Sequence, residues 1–275
     1  MADALTFDPG SFKGMEQAGW QRNAAAYDNL LGSVTRHAME PLLDTTGVGA
    51  GTLLLEMCCG PGYGSGAALM RGARPIGVDF APAMVEKARS LYPNGVFHEG
   101  DAEALAFAAA TFDAVICPFG VNHLQDPDTA FREAFRVLRP GGRFGFTMWC
   151  VPGKSKFHQL VMDSIRAHGT LDVPLPPAPP VFRYSEPSAC VAGLLAARFI
   201  GPIVIEIPLT FQPREATEVL DLTYSAVRLE MLIALQTPAA RERIHEAIVT
   251  GAEQFRVGNQ INIPMPAVLA SAEKP

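Results

Sequence analysis

A glycine-rich segment directly follows the first strongly apolar run of the chain, and it restricts the possible folds more than any other feature. Residues 53–55 are three leucines, and Gly60, Gly62 and Gly64 come a few positions later. Glycine at these positions lets the backbone turn tightly and approach a ligand more closely than a side chain would permit. The segment therefore predicts a strand, a ligand-binding turn and the start of a helix.

Two acidic residues favour ligand binding at this turn over a merely tight connection. Asp79 ends the next predicted strand, 19 residues after Gly60, and an acid at that place binds ribose hydroxyls in dinucleotide-like folds. Glu56 ends the first predicted strand. A carboxylate beside the pocket suits a ligand with an amino group and a sulfonium better than it suits a pyrophosphate. We therefore expect a nucleoside-bearing ligand of the first kind.

Short apolar segments alternate with amphipathic segments through the first half of the chain. Strands are predicted at residues 53–55, 75–79, 96–98, 112–117 and 144–149, with helices between most of them. Five alternations with short connections predict a parallel sheet covered by helices on both faces. Residues 203–209 and 267–272 predict two further strands.

Three segments outside this alternation are predicted to cover the sheet. Residues 11–44 have helical spacing with a break or two, residues 173–180 are too proline-dense for regular structure, and residues 214–256 are mostly helical. The last segment predicts one buried stripe formed by Leu220, Tyr224, Val227, Met231 and Leu235. We expect a single domain over residues 1–275, with residues 11–44 as a lid and the other two segments as substrate-selecting insertions.

Composition limits the classes of partner. Hydrophobic residues make up 48% of the 275 residues and charged residues 18%, so a large core is feasible, and the net charge of −6 gives no electrostatic reason to expect nucleic acid. No apolar run approaches the roughly 20 residues of a membrane span. The five cysteines form no C-x-x-C pair and the histidines no ligand cluster, so we expect no metal and a cytoplasmic protein.

Several motifs, in matching order and spacing, resemble the class I S-adenosylmethionine (SAM)-dependent methyltransferases, in particular the group related to the ubiquinone/menaquinone-biosynthesis enzymes. The resemblance covers roughly residues 15–150. The stretch from Glu56 to Gly62 resembles the nucleotide-binding loop of that family, with Cys58 in the place of its first glycine. A small side chain fits there if φ stays negative. The resemblance implies a Rossmann-like α/β fold: a doubly wound seven-stranded sheet, mostly parallel with an antiparallel last strand, plus a helical cap.

The resemblance also implies roles for residues after the second and third strands. Asp79 matches the acid that binds both ribose hydroxyls, and Phe80 and Met84 follow it in position to line the adenine. Asp101 matches the carboxylate that accepts from the adenine amino group, and the backbone amide of Ala102 meets the ring. SAM is the implied cofactor and S-adenosylhomocysteine the product.

The segment from residue 113 to residue 127 resembles the fourth strand of the family and its following loop. Because ligands lie at the carboxyl ends of the strands in open α/β sheets, we expect Cys117, Asn122 and His123 near the methyl donor. Tyr27, on the helix that covers the cofactor in this group, is predicted to bind the methionine carboxylate, to line the substrate pocket or to pack in the core.

The function that these features predict is SAM-dependent methyl transfer to a small apolar or aromatic molecule. His123 is the candidate catalytic residue, as a proton acceptor, although it could equally be a structural residue of its loop. The alternative function is a SAM-fold enzyme that catalyses a cyclisation, decarboxylation or elimination, since its binding motifs would be identical. A homodimer is also left open.

Overall fold

Seven strands form the central sheet of the computed structural model, which describes residue 8, residues 10–27 and residues 30–275. They are β1 (Leu53–Met57), β2 (Arg74–Asp79), β3 (Val96–Glu99), β4 (Phe112–Pro118), β5 (Leu138–Trp149), β6 (Ile200–Ile207) and β7 (Ala267–Glu273). Their order is β3-β2-β1-β4-β5-β7-β6, and β7 runs antiparallel to both of its neighbours while the other pairs are parallel. The predicted seven-stranded sheet with an antiparallel last strand is confirmed.

Helices occupy most of the remaining described residues. They are α1 (Phe12–Tyr27), α2 (Leu31–Thr35), α3 (Met39–Thr45), α4 (Tyr63–Met70), α5 (Pro82–Leu91), α6 (Pro127–Val137), α7 (Lys156–His168), α8 (Pro187–Ala196), α9 (Glu218–Ser225), α10 (Val227–Ala234) and α11 (Pro238–Ala252). Single 3-10 turns lie at Arg36–Ala38, Val121–His123, Arg183–Ser185 and Glu253–Phe255. Two antiparallel pairs of two-residue strands join Thr210–Phe211 to Ile263–Pro264 and Arg256–Val257 to Gln260–Ile261.

The sheet is covered by apolar packing on both faces, as the sequence predicts. Leu54 and Leu55 are adjacent in β1 and fully buried, but they belong to two different hydrophobic clusters because successive side chains of a strand point to opposite faces. Ile116 and Val115, adjacent in β4, likewise belong to different clusters on opposite faces of the sheet. This double coverage explains why apolar residues occupy successive positions in these central strands.

Strand β5 begins earlier than the sequence predicts. The prediction starts it at residue 144, because the preceding Pro-Gly-Gly is typical of a turn, but the strand begins at Leu138. Leu138 pairs with Phe112, and the Gly141 amide donates to the carbonyl of Lys274 at 2.8 Å. Pairing on both sides therefore holds turn-forming residues in the sheet.

The stripe predicted over residues 214–256 is confirmed except at its end. Val227 is fully buried, and Leu220, Tyr224 and Met231 pack partly buried against the core, but Leu235 is exposed. Ala226 adopts an extended conformation with φ −98° and ψ 109°, which separates α9 from α10 and interrupts the helical spacing. As a result Leu235 is exposed, whereas Leu222 and Ile233 are fully buried. The predicted proline-dense segment 173–180 does lie outside helices and strands.

Helix α1 lies over the sheet and is held by α5 on one side and by α9 and α10 on the other. Gln17 Nε2 donates to the carbonyl of Phe80 at 2.8 Å, and Asn23 Nδ2 donates to the carbonyl of Tyr224 at 3.1 Å. Two positions of the predicted lid segment, 28 and 29, lie outside the described residues. Across the part of the chain that the structure describes, no helix has the length and apolarity of a membrane span.

Candidate active site

A cleft with about 750 Å³ of empty space, part of it open to solvent, lies at the carboxyl ends of β1, β2 and β4, beneath α1. This is where open α/β sheets bind ligands. Its lining consists of Lys13, Trp20, Tyr27, Leu31, Cys58, Gly60, Val78, Asp79, Phe80, Met84, Gly100, Asp101, Ala102, Glu103, Pro118, Phe119, Gly120, His123, Leu124 and Trp149.

Glu56 holds the glycine-rich loop from behind. Its side chain is fully buried, and it accepts hydrogen bonds from the Gly64 amide at 3.0 Å, the Ser65 amide at 2.7 Å and the Ser65 hydroxyl at 2.6 Å. Burial raises the pKa of Glu56 to about 7, while these donors oppose the rise. The carboxylate therefore caps the first turn of α4, where the helix end favours negative charge, and it does not line the cleft.

The loop itself uses three residues with positive φ. Gly60 and Gly62 have φ values of +50° and +81°, and Cys58 has +51°. The expectation that Cys58 keeps a negative φ is therefore wrong; its Cβ and Sγ pack closely against Gly120, where a side chain would collide with them. A Cβ on Gly60 would meet no atom within 4 Å, because this position borders the open cleft.

Asp79 is oriented by the backbone. Its Oδ2 accepts from the Gly60 amide at 2.8 Å and its Oδ1 from the Ala81 amide at 2.9 Å. Burial raises the pKa of Asp79 to about 6, against the opposing effect of these amides. Because an ionised carboxylate offers about four acceptor sites, each oxygen retains capacity for a further donor such as a ribose hydroxyl.

The cleft beyond Asp79 is flat and largely apolar, with charge at its rim. Phe80, Met84 and Ala102 supply the apolar lining. At the rim, Lys13 Nζ of α1 lies 2.8 Å from Asp101 Oδ2 and 2.9 Å from Glu103 Oε2. Helix α1 is therefore fastened to this end of the cleft by an ion pair.

The opposite end of the cleft has aromatic walls. The rings of Phe119 and Trp149 have centroids 4.2 Å apart, and those of Trp20 and Tyr27 are 5.7 Å apart in an edge-to-face arrangement. Phe119 has a φ of +54°, which is strained for a residue with a side chain, and its amide donates to Thr147 Oγ1 at 3.0 Å. The strained backbone directs an aromatic ring into the lining.

His123 stands between these aromatic walls and a buried carboxylate. Its ring lies edge-to-face with Trp20 at 4.9 Å. Nδ1 lies 2.8 Å from Glu16 Oε2, and Nε2 lies 3.0 Å from Asn122 Nδ2. A neutral imidazole satisfies both contacts when Nδ1–H donates to Glu16 and Nε2 accepts from Asn122.

The structure brings most of the predicted site residues to one cleft. The lining includes Tyr27, Cys58, Gly60, Asp79, Phe80, Met84, Asp101, Ala102 and His123, whereas Glu56, Gly62, Cys117 and Asn122 lie behind it. Gly62 precedes α4, Cys117 is buried beside Gly120, and Asn122 contacts His123. Neither segment 173–180 nor segment 214–256 contributes to the lining.

Sequence analysis missed several polar residues at the site. Lys13 and Glu103 line the cleft, and Glu16 touches His123 from α1. The available signal for Glu16 was its position four residues before Trp20, which places a charge on the same helix face as a large aromatic residue. Among the described residues, no three His, Cys, Asp or Glu side chains converge as a metal site would require.

The cleft fits SAM on chemical grounds. Asp79 can accept from ribose hydroxyls, the Phe80 and Met84 patch can cover a purine, and the open space at Gly60 lets the chain backbone approach the ligand. The part of the lining formed by Trp20, Phe119 and His123 is aromatic, a setting suited to a second small molecule.

Comparison with known proteins agrees with this fit. A family model described as a methyltransferase domain matches residues 55–146. A demethylmenaquinone methyltransferase of Chlorobaculum parvum is 40% identical over 90 residues, 32% of this chain and 37% of that protein. A 2-phytyl-1,4-naphtoquinone methyltransferase of Thermosynechococcus vestitus is 32% identical over 154 residues, 52% of this chain and 68% of that protein. The solved structure of Bacillus subtilis YcgJ has a TM-score of 0.57 at 22% identity, and the match covers 86% of this chain and 98% of that chain.

The fold and the cleft are thus those of the class I SAM-dependent methyltransferases. The chain belongs to this family, in the group related to the ubiquinone/menaquinone-biosynthesis methyltransferases. The predictions of family, fold class and SAM as cofactor are confirmed. The matched part of the chain spans 37% to 68% of the length of the two curated relatives named above.

Proposed function

We propose that this protein transfers the methyl group of SAM to a planar aromatic acceptor that carries a hydroxyl group, of the hydroquinone type. The observation that carries the proposal is the aromatic end of the cleft, where Trp20, Phe119 and Trp149 line the same cleft as His123 and Trp20 packs against the His123 ring. Aromatic walls stack against a flat ring, and the one imidazole in this lining can accept a hydrogen bond from a hydroxyl group on that ring. The relatives named for demethylmenaquinone and 2-phytyl-1,4-naphtoquinone support a naphthalene-sized ring.

The cofactor half of the cleft is proposed to bind SAM through residues of the three strand ends. Asp79 accepts from the two ribose hydroxyls, Phe80 and Met84 contact the adenine, and Gly60 allows close approach to the methionine portion. When bound, SAM supplies a methyl carbon attached to a positively charged sulfur, which is already a good leaving group. The protein therefore contributes alignment and exclusion of water.

His123 is proposed to accept the proton that the acceptor loses. The acceptor hydroxyl replaces Asn122 as the donor to Nε2, and its proton moves to this nitrogen. The electron-rich acceptor then forms a bond to the methyl carbon while the carbon–sulfur bond breaks and its electron pair stays on sulfur. One proton, one methylated acceptor and one S-adenosylhomocysteine balance the reaction. A hydroquinone, rather than a quinone, is required because only the reduced ring is nucleophilic.

The proposal is tested with purified protein, methyl-labelled SAM and reduced 1,4-naphthoquinone. We expect label in a product that has gained one methyl group, together with S-adenosylhomocysteine, as measured by mass spectrometry. Asp79→Asn is the matched control and should strongly lower conversion at a SAM concentration that just saturates the unmodified protein.

Two outcomes would contradict the proposal. A product of unchanged mass would indicate a cyclisation or another rearrangement instead of methyl transfer. Methylation of aliphatic alcohols or amines in a parallel panel, with none of the naphthoquinol, would show that the aromatic walls do not select the acceptor.

A further inference from the structure

Glu16 is a fully buried carboxylate on α1, and it contacts both His123 and an aromatic wall of the cleft. Its side chain has no exposed surface. A single oxygen, Oε2, accepts from the indole nitrogen of Trp20 at 3.1 Å and lies 2.8 Å from His123 Nδ1. The other oxygen, Oε1, has no hydrogen-bond partner among the described residues. A carboxylate in this environment is costly unless other groups stabilise its charge.

Arg228 of α10 supplies a buried positive charge that interacts with Glu16. The guanidinium lies over the ring of Phe12 at 5.4 Å, and its Nη1 is buried without a hydrogen-bond partner among the described residues. Burial lowers the pKa of Arg228, and attraction to the Glu16 carboxylate opposes the change. Glu16 therefore interacts with a cation as well as with the imidazole of His123.

This arrangement determines which nitrogen of His123 carries the proton. An ionised carboxylate can only accept hydrogen bonds, so Nδ1 must be the protonated nitrogen, and Nε2 then carries the lone pair. A carboxylate in this position also stabilises the imidazolium that forms after proton uptake. Because the same oxygen accepts from Trp20, it fixes the ring of His123 relative to the aromatic wall.

We propose that Glu16 is a positioning residue that holds His123 in the Nδ1–H form and keeps Nε2 ready to accept the proton of the acceptor. The inference rests on the proposed function, in which His123 takes that proton. It adds that the lid helix supplies the partner of the base, so that the base is complete only when α1 covers the cleft.

The first test needs no acceptor. Nitrogen-15 spectra of histidine-labelled protein, saturated with S-adenosylhomocysteine, report which imidazole nitrogen is protonated, and His123→Ala identifies the resonances. We expect Nδ1 of His123 protonated and Nε2 unprotonated in the unmodified protein, and a mixture of tautomers in Glu16→Gln. A protonated Nε2 in the unmodified protein, or an unchanged single tautomer in Glu16→Gln, would overturn the inference.

The second test measures methyl transfer to reduced 1,4-naphthoquinone in single turnovers with enzyme in excess, so that product release does not limit the rate. Here kcat denotes the rate constant of methyl transfer at saturating quinol, and KM denotes the half-saturating concentration. We expect Glu16→Gln to lower kcat at least tenfold while KM for the quinol and the affinity for S-adenosylhomocysteine change less than threefold. The double variant with His123→Ala should be no slower than His123→Ala alone, since Glu16 acts through that ring. A loss of S-adenosylhomocysteine affinity as large as the loss of kcat would mean that Glu16 merely holds α1 in place.

Glu230→Gln is the matched control. Glu230 of α10 accepts from Asn23 Nδ2 of α1 at 3.2 Å, so this change removes a carboxylate from the same pair of helices without touching His123. It should leave kcat and the tautomer unchanged. If His123→Ala turns over normally, the proposed proton transfer fails; if His123→Ala is slow but Glu16→Gln is not, only the inference about Glu16 fails.

Discussion

The Asp79 carboxylate accepts hydrogen bonds from two backbone amides and also lines the cleft. Its charge therefore determines which ligands the cofactor half of the cleft can bind. Burial raises the pKa of this carboxyl from 3.8 to about 6. Without ligand, the folded protein therefore binds a proton here more readily than the unfolded chain does. The stability from this proton is lost as the pH rises from about 4 to about 6. When ligand hydroxyls donate hydrogen bonds to the ionised carboxylate, they stabilise the deprotonated form of Asp79 instead.

We predict that the affinity for S-adenosylhomocysteine falls as the pH drops through about 6. Protonated Asp79 loses its charge as an acceptor, and binding should weaken by about tenfold per pH unit below that value. Titration calorimetry across this range measures the effect. Asp79→Asn should bind more weakly by about 2 kcal/mol at neutral pH and show a flat profile. An equally steep profile in that variant would assign the titration to another group.

Asp79 could be predicted because the distance from Gly60 and the end of a strand are both visible in the sequence. Glu16 could not, because its partner His123 is 107 residues away and only the packing of α1 brings them together. Glu56 was predicted as an acid near the cofactor, but the sequence could not show that three donors of α4 turn it away from the cleft.

At the scale of single elements, the loop between β1 and α4 combines two different demands on glycine. Gly60 has φ +50° and open space beside it, whereas Gly62 has φ +81° and a Cβ there would lie 2.8 Å from the Phe97 ring. The first glycine thus leaves room for the ligand, and the second leaves room for the core.

We predict that Gly60→Ala and Gly62→Ala separate these two roles. Gly60→Ala should cost about 1 kcal/mol of stability from backbone strain alone, but should weaken S-adenosylhomocysteine binding at least tenfold because the methyl group projects into the cleft. Gly62→Ala should cost about 2 kcal/mol or more of stability, since strain and collision add. Urea unfolding measures the stability of both variants, and titration calorimetry measures their affinity for S-adenosylhomocysteine. Equal losses of stability would refute the separation.

Over the whole molecule, the cofactor half follows from local patterns, and the acceptor half does not. Strands β1 to β4 are apolar runs flanked by turns, so their order and type are predictable from short segments. The walls of the acceptor end come from α1, the loop after β4 and the end of β5, represented by Trp20, Phe119 and Trp149. No local pattern joins these distant positions. The interruption at Ala226 was likewise invisible, because its extended backbone has no proline or glycine as a signal.

Helix α1 spans the cleft from Lys13, at the ion pair with Asp101, to Tyr27, at the aromatic end. These positions are about 21 Å apart along the helix axis. Because α1 lies along the cleft, we expect release of both products to require movement of this helix and breakage of the Lys13 ion pair. We expect release, rather than methyl transfer, to limit steady turnover, which rapid-quench measurement would show as a burst of about one product per enzyme molecule. Product formation that is linear from the start, without a burst, would place the slow step at or before methyl transfer.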